Sequence, residues 1–576
     1  MNAEQLLQHF ERISEAPDAI PRLRRFILDL AVRGKLLEQD SSDEPAEELV
    51  KRIAVEKAQL MKSGKIKREK PLPPLAESDK AFEVPSGWEW VRLGDLTMLV
   101  TSGSRDWAKH YSNDGAIFVR MGNLSKDHYR LRLDHIQRVK APADGEGTRT
   151  RLEPGDILIS ITGDVGMLGL IPDGFGEAYI NQHTAMVRPV AAMKGLYLAE
   201  LFRSQFAQDQ FNEPQRGIKN SFRLTDVTQF VVPLPPLTEQ HRIVAKVDEL
   251  MSVCDQLEAA KAEREQCRDS LVAASLQGLN QPAEEEETFR EHARFTFTNL
   301  PRISTRAAHI KQLRQTILGL AFRGKLVEQD PSDEPVEELL KRIAAEKAKM
   351  VKAGDIKTKK ICEPSMAEAT YLLPSTWKWV ALESVFDYDA GIKTEPKKLD
   401  QNLWLLELED VEKDTGRLVE RVRASERTSQ STKSEFKIND ILYGKLRPYL
   451  NKVLLADEQG YSTTEIVAIR PYIPLCSKYC VLALRRPDFL DYVTRLGQGT
   501  KMPRLRTEDA KVAPFPLPPL AEQQRIVAKV DELMAICDQL EAQITATEQD
   551  SRRFLESVLA DALAPGIDLR EVAEVA

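Results

Sequence analysis

The sequence predicts an α+β chain: two mixed α/β domains in a pseudo-twofold arrangement, joined by long antiparallel coiled-coil helices. Three observations predict it. Two blocks of sequence occur twice, the stretches between them do not, and the second block carries coiled-coil spacing. The first block runs from Leu23 to Lys67 and returns from Leu313 to Lys357, with about 31 of 45 positions identical. The second, LPPLTEQHRIVAKVDELMSVCDQLEA from Leu234, returns from Leu517 with about 22 of 26 positions identical. Self-similarity at this level means one supersecondary plan used twice. Roughly 140 residues after each W-x-W-V tract keep only scattered matches, such as Gly155-Asp-Ile-Leu158 against Asn439-Asp-Ile-Leu442 and Arg188-Pro189 against Arg470-Pro471. Simple duplication with drift would blur frames and inserts alike, so near-identical frames holding different inserts argue that the inserts differ for a reason.

In chain order, residues 1–80 form an N-terminal helical repeat region and 81–236 the first α/β insert. A central long helix is expected over 237–279 and a solvated linker over 280–308, where Glu284 to Glu287 and Pro301 break any apolar pattern. The second helical region spans 309–370, the second insert 371–518 and the last long helix 519–576. Ile243, Val247, Leu250, Cys254 and Leu257 recur at the four-three spacing of a coiled-coil seam, as do Ile526, Val530, Leu533, Cys537 and Leu540. Pro235-Pro236 and Pro518-Pro519 fix where these helices begin. About 36 helical residues would span ~54 Å at ~1.5 Å per residue. So long and one-sided a helix needs a partner, and the other copy is the expected one. Both seam cysteines read as small buried hydrophobes. Within the inserts, Gly115–Arg120, Gly155–Gly163, Trp404–Leu408 and Ile466–Ile469 read as strands. Leu196–Phe211 and Tyr479–Leu496 read as helices.

Composition narrows the function. The 576 residues carry 81 Lys+Arg against 89 Asp+Glu, a net charge of −8 that by itself disfavours a nucleic-acid binder. No apolar run has the ~18 residues a membrane span needs, and the N-terminus lacks a signal-peptide pattern, so a cytoplasmic protein without membrane partners is expected. The six cysteines form no C-x-x-C pair, and no histidine pattern matches a metal site. Gly319 to Leu326 imitates P-loop spacing, but Leu326 stands where a hydroxyl should hold Mg²⁺, and Asp29 replaces the first glycine in the other copy. No G-x-G-x-x-G and no D/N-P-P-Y/F tetrapeptide occurs. An enzyme built twice should show its catalytic set twice, and none is seen.

Charge is nevertheless uneven. Arg105 to Arg151 holds ten Lys/Arg against six Asp/Glu. Arg216, Lys219 and Arg223 lie in an acid-free stretch near the end of the first insert. Lys501, Arg504 and Arg506 lie in another at the corresponding place in the second. A glycine-containing loop with Lys, Arg and Asn suits approach to phosphates and base edges. An ordinary solvated loop has the same composition; recurrence in two divergent inserts favours the binding reading.

The two-copy plan, P-S-x-W-x-W-V before each insert, L-P-P-L-x-E-Q-x-R-I-V-A-K-V-D-E-L opening each long helix, and R-G-K-L-x-E-Q-D resemble the specificity subunit of type I restriction–modification systems. The resemblance implies that each insert is a target recognition domain reading half of a split, non-palindromic double-stranded DNA sequence. It implies that the helices set the distance between half-sites, about one turn apart, and dock two modification subunits, with the seam residues Ile243, Val247, Leu250, Leu257, Ile526, Val530, Leu533 and Leu540 in that role. S-adenosylmethionine with adenine-N6 methylation would belong to those partners, and ATP and Mg²⁺ to the restriction subunits; this chain would bind no cofactor or metal and catalyse nothing. Expected DNA contacts in the first insert are Arg105, Lys109, Arg120, Asn123, Arg216, Lys219, Asn220 and Arg223. Those in the second are Lys393, Lys445, Arg447, Lys501, Arg504 and Arg506. The alternative is an adaptor that joins protein partners through its coiled coil without touching DNA. Longer segments over Glu38–Lys80 and Glu328–Thr370 lie outside what the resemblance explains.

Overall fold

Each half of the sequence builds its fold around short helices, one long helix, a two-stranded clasp and two four-stranded sheets. The computed structural model describes residues 16, 18–66, 71–104, 106–142, 146–213, 221–280, 286–356, 363–364, 369, 371–497 and 502–563. The chain divides into two units: Met1–Glu263 with Thr547–Ala576, and Arg264–Ala546. The α+β class holds in both.

In the first unit, α1 (Ala19–Val32) and α2 (Ala46–Lys62) come from the repeated first block. α1 buries Leu23, Ile27, Leu28 and Ala31, an apolar stripe at helical spacing. β1 (Glu89–Arg92) pairs antiparallel with β10 (Val231–Leu234), so the W-x-W-V and V-V-P-L tracts close a clasp around everything between them. Inside the clasp lie β2 (Thr97–Ser102), β6 (Ile157–Ser160), β7 (Leu168–Leu170) and β9 (Thr184–Pro189), forming an antiparallel sheet in the order β2-β9-β6-β7. A second sheet has the order β3-β5-β4-β8, from β3 (Tyr111–Ser112), β4 (Ala116–Val119), β5 (Gln137–Val139) and β8 (Ala178–Ile180), with β4 and β8 parallel. The helical stretch before the clasp closes is two helices, α3 (Tyr197–Arg203) and α4 (Gln205–Asn212), because Ser204 leaves the helix and caps α4 by accepting from the Ala207 N–H.

The second unit repeats this plan with one change. β11 (Lys378–Ala381) and β20 (Pro514–Leu517) form the clasp. β12 (Phe386–Tyr388), β16 (Ile441–Gly444), β17 (Val453–Leu455) and β19 (Ile466–Pro471) form a sheet of the same order, β12-β19-β16-β17. In the other sheet, β13 (Lys393–Thr394), β14 (Trp404–Leu406), β15 (Lys433–Phe436) and β18 (Gly460–Thr463) run β13-β15-β18-β14. The parallel pair persists as β14 and β18, but the third strand now flanks β18 rather than β14, whereas β5 flanks β4 in the first unit. Divergence is therefore concentrated in one sheet.

The scattered matches belong to the shared sheet. Arg188 on β9 donates to Asp156 at 2.8 and 2.7 Å, and Arg470 on β19 donates to Asp440 at 2.7 and 2.6 Å. Both carboxylates are buried and also accept a backbone N–H three residues back, from Glu153 and Lys437.

Three expectations are corrected. The long helices α5 (Leu237–Asn280) and α8 (Leu520–Leu563) have 44 residues each, or ~66 Å at ~1.5 Å per residue. Their seams begin inside their own units: Ile243, Val247, Leu250 and Cys254 join the core of α1, with Leu257 packed against it, and Arg24 on α1 bridges Asp255 and Glu258 at 2.7 Å. Ile526, Val530, Leu533 and Cys537, with Leu540, do the same beside α7 (Ala307–Phe322), where Arg314 bridges Asp538 and Glu541. Six of these eight seam positions are buried in intra-unit cores, and Leu257 and Leu540 are partly buried against them, so the seam packs first within each unit. Finally, the segment expected as a solvated linker over 280–308 contains α6 (Glu286–Ile303), because Phe289 and Ala293 give it an apolar edge that packs on the second unit's core. Burial pushes the Cys537 thiol up to about 11, as suits a core residue. Among the described residues no helix is long and apolar enough to cross a membrane.

Candidate nucleic-acid interface

The conserved sheet ends in the same corner in both units. In the first, the backbone after β6 is held by three hydrogen bonds: Ile161 N donates to His183 O at 2.9 Å, Phe222 N to Ile161 O at 2.9 Å, and Ser160 N to Met167 O at 2.9 Å. Thr162 and Ser221 form a β-bridge. After β16 the same three bonds are Lys445 N to Glu465 O at 2.9 Å, Leu505 N to Lys445 O at 3.0 Å and Gly444 N to Lys452 O at 3.0 Å. Leu446 and Arg504 form the bridge. Ser221, within the first acid-free basic stretch, and Arg504, within the second, therefore occupy one structural position.

At this corner the first unit opens a cleft of about 540 Å³, lined by Arg120, Met121, Gly122, Asn123, Arg132, Asp134, His135, Asn181 and His183. Arg120 is half-buried and its guanidinium has no hydrogen-bond or ion-pair partner among the described residues. It follows β4, which places it over the turn Met121–Asn123. Asn123 is different: its Oδ1 accepts from Arg120 N at 2.9 Å, and its Nδ2 donates to Arg132 O at 2.8 Å and His135 O at 3.3 Å. With its amide engaged by three backbone groups and 6% of its surface exposed, Asn123 braces the cleft wall, whereas the sequence expectation was a DNA contact. Lys109 and Arg223 are exposed, Lys109 on the turn Asp106–His110 apart from the cleft lining. Arg105, Arg216, Lys219 and Asn220 lie outside the described residues, as does Lys501.

The second unit fills the equivalent turn with opposite charge. Glu407 and Asp410 follow β14 as Arg120 and Asn123 follow β4, and Glu407 N donates to Asp410 Oδ2 at 2.7 Å. Arg427 holds Asp410 through two bonds of 2.7 and 2.8 Å, and Lys433 donates to Glu407 at 2.6 Å. Of the expected contacts here, Lys445, Arg447 and Arg504 come together at the corner. Arg504 bonds Glu465 at 3.1 and 3.2 Å, which holds its guanidinium more firmly in the charged form. Arg506 pairs with Asp509 at 2.9 Å. Lys393 sits on β13, bonded to Asp389 at 3.1 Å and Ser434 at 3.3 Å, away from that corner in the strand order.

Asn181, His183, His135, Glu407 and Glu465 were not foreseen as site residues. Asn181 and His183 reach the cleft because β8 pairs in parallel with β4, some sixty residues earlier, and nothing local in the sequence announces that pairing. Among the described residues no three His, Cys, Asp or Glu side chains cluster as a metal site.

A family model, the type I restriction modification DNA specificity domain, matches residues 85–264 and 374–547. The specificity subunit of the type I restriction enzyme EcoAI from Escherichia coli is 33% identical over 94% of this chain and 93% of its own length. That of EcoEI, also from Escherichia coli, is 32% identical over the same shares. The crystal structure of the HsdS subunit from Thermoanaerobacter tengcongensis aligns with a TM-score of 0.43 and 19% identity, over 84% of this chain and 99% of that one.

Proposed function

This chain belongs to the type I restriction–modification DNA specificity family, and from that membership we propose that its two units read the two halves of a bipartite, non-palindromic DNA target. It is a specificity subunit, the non-catalytic part of its complex. One observation carries the finer reading. A common frame, clasp and first sheet present the same corner twice, with Arg120, His183 and Ser221 in one unit where the other has Glu407, Glu465 and Arg504. Identical readers would select a palindrome; readers of different chemistry select two unrelated half-sites.

The same proposal gives the helical frame two tasks, setting the spacing between half-sites and docking two modification subunits. With six of the eight seam positions buried in the units' own cores, docking falls to the outward faces of the long helices. Adenine-N6 methylation with S-adenosylmethionine, and ATP with Mg²⁺, are assigned to the modification and restriction partners, and the assembly to the cytoplasm. The test is a reconstituted methyltransferase assayed on duplexes with every base pair of the target varied in turn. Arg120→Ala with Arg223→Ala should weaken discrimination in one half-site, and Arg504→Ala with Arg506→Ala in the other. Equal effects on both halves from either pair would refute the division of labour.

A further inference from the structure

The corner after the central strand turns through two left-handed residues in each unit. In the first unit they are Gly163 and Gly166, with φ of 76° and 82°. In the second they are Arg447 and Asn451, with φ of 52° and 50°. Five non-glycine residues have positive φ among the described residues, and the other four are Asp389, Asp414, Asn439 and Asn451. Asp and Asn tolerate this region through local hydrogen bonds of their short side chains; Arg has no such compensation. The first unit shows that glycine makes the turn without strain. Yet the second keeps an arginine there.

Its side chain bears a second cost. Arg447 Nε is buried and has no hydrogen-bond partner among the described residues. Its backbone, by contrast, is pinned: Arg447 N donates to Pro503 O at 2.7 Å, and the neighbouring Leu446 bridges Arg504. Two residues on, Tyr449 is 45% exposed. A strained backbone held by a rigid surround marks a functional position; with Nε covered, the terminal Nη1 and Nη2, which have no hydrogen-bond partner among the described residues, are the donors left for a partner from outside.

We propose that Arg447 is a specificity-determining residue of the second unit, donating to the acceptor edge of a purine, most favourably guanine O6 and N7. A phosphate contact would be served by a flexible lysine on an unstrained turn; base reading favours a planar fork on a stem whose origin is fixed, and the pinned left-handed backbone fixes that origin. Tyr449, two residues on and 45% exposed, offers an aromatic ring for the face of a base or sugar. This rests on the DNA-reading function proposed above and adds to it one residue and one class of base.

The test uses the complex assembled with its modification subunits and duplexes varied at each target position. Arg447→Gly adopts the first unit's own solution, so the melting temperature should hold or rise. Affinity for the cognate duplex should fall at least tenfold, and base preference should flatten at one position of one half-site. Arg447→Lys should regain affinity without regaining the preference. If Arg447→Gly keeps the wild-type preference at every position, the proposal is overturned. A uniform loss across all sequences would also overturn it, by showing a phosphate contact. A wild-type complex with no sequence preference at all would instead bring down the DNA-reading function itself.

Discussion

At the scale of single residues, the matches that survive between two divergent inserts turn out to be electrostatic. Asp156 with Arg188 and Asp440 with Arg470 are one ion pair built twice, each across neighbouring strands of the shared sheet. Burial pushes the Asp156 carboxyl above its usual range, and Arg188 only partly offsets this. Removing the cation alone leaves a buried charge uncompensated, so Arg188→Ala should cost ~3 kcal/mol or more. The double change Asp156→Asn with Arg188→Met should cost less than the single one. The pH dependence follows from the raised pKa. A carboxyl whose folded pKa exceeds its unfolded value contributes most below the unfolded pKa, and loses that contribution as pH rises through the folded one. Without Arg188 the folded value climbs further. The stability gap between wild type and Arg188→Ala should therefore narrow as pH falls from 7 towards 4, by thermal unfolding at each pH. A constant gap would mean that Asp156 is not ionised in the native sheet.

At the scale of elements, the motifs that carry the family resemblance are a packing device. Gly34 ends the R-G turn after α1 with φ of 67°, and a Cβ there would sit 2.4 Å from Pro85 of the P-S-x-W tract. Glu239 at the start of α5 accepts from Gln39 at 2.8 Å and from Trp88 Nε1 at 2.9 Å, while Arg242 reaches Asp43 at 2.5 Å. The second unit repeats three of these contacts, with Gly324 against Pro374, Gln329 bonded to Glu522 at 2.9 Å and Arg525 to Asp333 at 2.7 Å. Short helix, clasp and long helix are thereby locked together in each unit. Gly34→Ala meets both a left-handed backbone and a proline ring, so it should destabilise the first unit by ~2 kcal/mol or more, seen as a lower unfolding midpoint. Trp88→Phe keeps an aromatic ring, though a smaller one, and strands one oxygen of a buried carboxylate, so it should cost ~1–3 kcal/mol or more by the same measurement.

These elements also show what the sequence could disclose. The frames were legible because near-identity between copies exposes every position the lock needs. α6 was not, since its buried edge is little more than Phe289 and Ala293 beside a run of glutamates. The order of the second sheet was not either, because strands of two to four residues carry no usable alternation and their register is set by distant partners. The site divides the same way. Arg504 announced itself by lying in an acid-free basic loop. His183 and Asn181 lie in no basic run, and only the parallel pairing of β4 and β8 brings them to the cleft.

At the scale of the whole molecule, the net charge of −8 and a DNA-reading role are reconciled by where the charges stand. Three of the expected DNA contacts are already paired within the second unit: Lys393 with Asp389, Arg504 with Glu465 and Arg506 with Asp509. Each must exchange a carboxylate for a phosphate, which gains little, whereas Lys109, Arg120, Arg223, Lys445 and Arg447 have no such carboxylate among the described residues. An acidic remainder opposes the approach of a polyanion. The isolated chain should therefore bind duplex DNA at the level of non-specific complexes, ~10⁻⁴–10⁻⁶ M at physiological salt. Each phosphate neutralised by a partner subunit adds ~0.9 to the slope of log affinity against log salt. Assembly with modification subunits should thus raise affinity and steepen that slope together, in fluorescence anisotropy titrations between 50 and 200 mM salt. Nanomolar, sequence-specific binding by the isolated chain at the upper salt would show instead that the recognition units carry enough cationic surface by themselves. The acidic frame would then have to be insulated from the DNA.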